Sequence, residues 1–156
     1  MPKVSTSRTE YCCIGERKMF PKPKPLRMIR IDGIYDSTIM RPKAVYINGK
    51  ELPLQPSLKL LNHSPDGFNW GYEGSGPAQL ALAILLYCYP ENKYRDFVVG
   101  NHQQFKRDII APLEFEHSFS ITIDIDRWAV RTMSGLIVGN MRDIVNARDL
   151  KLKDDE

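Results

Sequence analysis

The chain has 156 residues, 42% of them hydrophobic and 26% charged, a globular composition with length for one core and too little for two full domains. No apolar run approaches about 18 residues, and the opening MPKVSTSRTEYCC lacks the apolar middle of a signal peptide, so a cytoplasmic protein is expected, neither membrane-spanning nor secreted. The net charge of +3 is unevenly placed, with 12 Lys and Arg against 5 Asp and Glu in residues 1–60 and 10 against 14 in residues 61–156, while three cysteines, two adjacent, form neither a disulfide framework nor a zinc spacing.

Glu10 to Ile14 reads as a first strand. The basic excess lies just beyond it, in Arg17, Lys18, Lys22, Lys24, Arg27 and Arg30 around KMFPKPKPLR. Alternating Lys and Pro favour an extended, solvated segment that either tracks a phosphate backbone or an acidic protein surface, or is a linker kept in solution by its lysines. Met28 to Tyr35 reads as a second strand, and Lys43 to Leu54 as a hairpin turning at Asn48-Gly49, a pair that tolerates the positive φ of a tight turn.

From Leu61 a polar, aromatic and glycine-rich loop, LNHSPDGFNWGYEGSG, runs into a helix over Pro77 to Tyr87. That helix is apolar almost all round, with Gln79 its early polar exception, and so belongs in the core. Its start would aim unpaired N–H groups back at the loop, with Ser75 or Gly76 as N-cap. Gly74, Ser75, Gly76 and Gln79 are therefore candidates for an anion or ligand site, although GSGP is neither a Walker A sequence nor a dinucleotide fingerprint. The alternative is a tight turn whose N–H groups are met by Glu73 or Asp66.

Tyr94 to Ile110 reads as a second helix ended by Pro112, with Phe97, Val98, Phe105 and Ile109 inward and Lys106, Arg107 and Asp108 outward. His102 lies on it. Paired with His63 of the loop, and with Glu73, Asp66 or Ser75 to orient a ring, it makes a candidate acid/base site, since imidazole moves protons at neutral pH. The competing reading makes His63 a clamp on loop carbonyls and His102 a satisfied core histidine. A metal held by the two histidines with Asp66 or Glu73 is weaker, and no metal or cofactor is expected. Phe68, Trp70 and Tyr72 alternate along an extended stretch; burial of at least two would seal the core, whereas exposed Trp70 and Tyr72 would anchor a partner. Phe119 to Ile125 alternates as a half-buried strand, with Thr122 or Asp124 placed to cap a helical turn carrying Trp128. The end, finishing KLKDDE, is expected to fray.

The run NHSP-x-GF-x-WGY-x-GSGPAQLALA, with HQQFKRD and FSITIDIDRW after it, resembles a bacterial family of unknown function common in phages, plasmids and integrative elements. The resemblance covers roughly Val45 to Trp128. It divides the chain into a basic N-terminal extension with strands (1–44), a family-like core (45–128) and a C-terminal extension (129–156). Phe119 stands where relatives are expected to carry tryptophan. No activity is attached to the resemblance.

The sequence thus predicts a single α+β domain, a small antiparallel sheet packed on two central helices. In function it points to a non-enzymatic accessory or interaction protein of a phage or mobile element, binding a macromolecular partner such as a host-defence component. Lys18, Lys22, Lys24, Arg27, Trp70 and Tyr72 are its candidate partner contacts. Two alternatives stand beside it: a small hydrolase or nuclease-like enzyme using His63 and His102, with Glu73, and a nucleic-acid binder using the basic segment.

Overall fold

The structure, a computed structural model, describes residues 27–133 and, before them, the backbone of Tyr11–Ile14 and Lys18–Pro21. The two short segments, β1 (Tyr11–Ile14) and β2 (Lys18–Pro21), pair as an antiparallel ribbon, so Lys18 lies on a strand where a solvated Lys/Pro segment is expected. Lys22 and Lys24 lie outside the described residues.

The main sheet has four antiparallel strands. It comprises β3 (Met28–Asp36), β4 (Arg41–Ile47), β5 (Lys50–Glu51) and β6 (Phe119–Asp124), in the order β5-β4-β3-β6. The β4–β5 turn is Asn48-Gly49, with φ of 51° and 79°, the left-handed pair that matches the twist of a two-residue hairpin. Alternation places Ile29, Ile31, Val45, Ile47, Phe119, Ile121 and Ile123 on one face, all buried. β4 is bulged between its partners Ile34 and Tyr35, and its outer edge carries Pro42 and Lys43. A bulge, a proline and a lysine each discourage another strand from adding there.

The buried face is covered by α2 (Ser75–Cys88), which leaves no residue from Gly76 to Leu85 exposed. A helix apolar on every side is stable only when enclosed, and α2 packs on α1 (Gln55–Leu60) and α3 (Arg95–Phe105) and shares one core cluster with the buried sheet residues. Little in the sequence signals α1, since its six residues hold Pro56 in the first turn and only one buried side chain, Ser57. After Phe105 the helix widens into a π-helical turn over Lys106–Ile110, closed by the Ala111 N–H donating to the Lys106 carbonyl. The extra residue rotates the side chains of this turn about the axis: Lys106, expected outward, has a side chain only 11% exposed, while Asp108 accepts the Trp128 indole N–H at 3.0 Å.

β6 passes directly into α4 (Ile125–Met133), where the Asp124 carboxylate accepts the Arg127 N–H at 3.0 Å. The molecule is therefore the expected α+β domain, with α2 and α3 as its central helices. Among the described residues no helix is long and apolar enough to cross a membrane.

Candidate functional site

The loop from Leu61 to Gly74 has no regular structure, so its backbone groups need partners elsewhere. Gln79 provides several. Completely buried on α2, its Oε1 accepts the N–H groups of His63 (2.7 Å) and Ser64 (3.1 Å), and its Nε2 donates to Ser57 Oγ (2.8 Å) and the Leu61 carbonyl (3.1 Å). One amide thus ties the loop to α1 and α2. No capacity remains for a ligand, which removes Gln79 from the ligand-site candidates.

Further along, Trp70 is fully buried, packs edge-on against Phe119 and donates its indole N–H to the His117 carbonyl at 2.7 Å. It is a core residue and cannot meet a partner. Gly71 adopts φ of 84° and donates its N–H to the Ile110 carbonyl; a Cβ there would lie 2.5 Å from the Phe115 backbone. Phe68 is half-buried and Tyr72 exposed, so the three alternating rings are divided between core and surface.

The two histidines meet. His63 Nε2 lies 2.9 Å from His102 Nε2, and His102 Nδ1 donates to the Val99 carbonyl at 2.7 Å. His102 is buried and His63 half-buried. Burial is the largest cause pushing the His102 ring below the usual histidine range; the Val99 carbonyl opposes the shift, and the nearby His63 and Lys106 add to it. The histidine expected as a clamp on loop carbonyls instead has its ring on another helix and its backbone N–H on Gln79. Glu73 pairs with Lys106 at 2.6 Å, leaving that carboxylate turned to a cation and away from either ring's hydrogen bonds.

The α2 N-terminus differs slightly from expectation. Gly74 occupies the cap position with no side-chain cap, the helix begins at Ser75, and the Ala78 N–H already donates to the Gly74 carbonyl. Gly76 is needed at the second position because Asn69 packs where a Cβ would stand, 2.7 Å away. Ser75 and Gly76 line a cleft of about 450 Å³ between the Arg41–Val45 stretch of β4, the chain from Glu51 to Leu54, and loop residues Ser64 to Asn69 with Tyr72. Neither His63 nor His102 lines it.

Four charged side chains border that cleft, Arg41, Lys43, Glu51 and Asp66, and none of them makes an ion pair among the described residues. Tyr72 also lines it, and its ring meets that of exposed Phe115 edge-on at 5.5 Å, while Ile39 and Met40, 52% and 62% exposed, stand in the β3–β4 turn just before Arg41. Met40 holds φ of 52°, a conformation costly for an unbranched L side chain and here found at an apolar, exposed tip. The sequence offers no local signal for this grouping beyond Tyr72. Arg27, by contrast, is committed within the chain: it donates to the Cys88 carbonyl and Asp126 and lies over the Tyr89 ring.

Residues 37–131 match a family described as Family of unknown function (DUF6166). The chain belongs to this family. The DUF6166 match takes in the cleft, the loop and both histidines. No curated protein and no solved structure matches the chain. Among the described residues no group of three or more His, Cys, Asp or Glu is arranged to hold a metal ion.

Proposed function

We propose that the chain is a non-enzymatic interaction protein, and that its partner is a protein docking on the end of the sheet around the β4 cleft. The observation that carries this reading is a cleft lined by Arg41, Lys43, Glu51 and Asp66, none of them in an ion pair among the described residues, with exposed Tyr72 on its wall, Phe115 against that ring, and Ile39 and Met40 exposed in the turn just before Arg41. Aromatic residues, Met and Arg are the types enriched where protein interfaces concentrate their energy. The protected edge of β4 argues against docking by strand addition, so the partner's side chains are what enter the cleft.

The histidine pair supports this reading over a hydrolase. His102 uses both ring nitrogens in hydrogen bonds within the protein, and neither ring lines the cleft where a substrate would sit. The resemblance to phage and plasmid proteins favours a bacterial cytoplasmic setting, with a host-defence component as the partner.

The test is affinity purification from the host with nuclease treatment, using wild type beside Met40→Asp and Phe115→Ser. One protein should co-purify with wild type after nuclease and disappear with either variant. Capture lost on nuclease treatment would favour the nucleic-acid reading. Capture indifferent to both substitutions would remove this surface from the account.

A further inference from the structure

Because the Val99 carbonyl has no proton to give, His102 Nδ1 must carry the hydrogen in their 2.7 Å contact, and the Nε2 of the neutral ring must carry the lone pair. The Gln103 side-chain amide lies 3.1 Å from the same Nε2. The 2.9 Å contact then requires His63 to donate from its own Nε2–H, leaving His63 Nδ1 as the free basic nitrogen.

We propose that His63 and His102 form a one-proton latch on the loop walling the cleft, so that a second proton releases the loop and deforms the docking site. A first proton on His63 Nδ1 keeps Nε2–H as donor and strengthens the bond by charging it. A second has only His102 Nε2 to occupy, which is the acceptor. Two N–H groups then face one another, the bond is lost, and two cations sit side by side.

The surrounding charges sharpen this limit. From α3, Lys106 adds a third positive charge; from the loop, Glu73 is engaged by that lysine and Asp66 faces the cleft; from α2 the facing group is the neutral Gln79. The depressed proton affinity of the buried His102 fits the same arrangement. What links the latch to binding is the chain itself. Ser64, Asp66, Gly67 and Phe68, immediately after His63, line the cleft. This consequence for docking rests on the interaction reading above.

The experiment is an NMR titration of the full chain between about pH 8 and pH 4, tracking ring nitrogens and loop amides. At neutral pH, His102 should be protonated on Nδ1 and His63 on Nε2. The rings should titrate in two separated steps, and only with the second should the amides of Ser64, Asp66, Gly67 and Phe68 shift together while Leu82 and Leu85 stay in place. His102→Gln keeps a polar neutral group and should abolish the loop's acid step; His63→Gln serves if that variant does not fold. Opposite tautomers, independent titration with an unmoved loop, or an acid step persisting in a folded variant would each overturn the latch. Loop release is read without any partner, so a partner that docks on the cleft irrespective of pH overturns the latch alone, and a working latch with no docking overturns the interaction reading alone.

Discussion

At the scale of single residues, Gln79 has the clearest role: four hydrogen bonds from one buried amide hold the start of the loop. Gln79→Leu fills a similar volume but strands two N–H groups and a carbonyl away from water. It should cost roughly 2–4 kcal/mol, read as a lower urea midpoint. The residue is visible in the sequence as the one polar side chain early in an apolar helix. Its meaning is not, because its partners come from α1 and the loop, 15 to 22 positions away. The two histidines suggest a pairing, but nothing in residues 39 apart reveals which nitrogens meet.

Elements are legible where a local rule decides them. Asn48-Gly49 marks a turn by its tolerance of positive φ, and Phe119 to Asp124 alternates cleanly. α2 has no polar side at all, so it can be stable only inside. The π-helical turn escapes sequence reading because a 3.6-residue period cannot anticipate one inserted residue, and Lys106 and Asp108 are misplaced with it. α1 escapes because six residues carry too little pattern. For α2 the expectation is sharp: Leu82→Asp or Leu85→Asp places an uncompensated charge at a position with no solvent exposure. That cost is comparable to the stability of a whole domain, so far-UV circular dichroism should show an unfolded or insoluble chain.

For the whole molecule, the buried histidine makes stability depend on pH. The folded His102 ring has a lower proton affinity than an unfolded histidine, whose pKa is about 6.5, so the unfolded state binds more protons between the two values. Stability is therefore complete above about pH 6.5 and falls as pH drops from there through the folded value. Urea midpoints should decline over this range in wild type and decline less in His102→Gln. The difference between the two isolates histidine from the carboxylates that titrate lower.

The meeting of β3 and β6 has a topological consequence. Met28 pairs with Asp124, and Arg27 is bound to Asp126, so the backbone enters and leaves the sheet side by side, and both Arg27 and Met133 border one groove. Because Arg27 and Met133 border one groove, residues 27–133 taken by themselves can be cut elsewhere and rejoined. A circular permutant linking Met133 to Arg27 through a short glycine-serine bridge, with new termini opened at Asn48-Gly49, keeps the β3 pairings with β4 and β6 while turning the order of the elements inside out. It should refold with a native-like near-ultraviolet spectrum from Trp70 and Trp128. Failure to refold would show that residues 27–133 do not tolerate the new join or the opened turn.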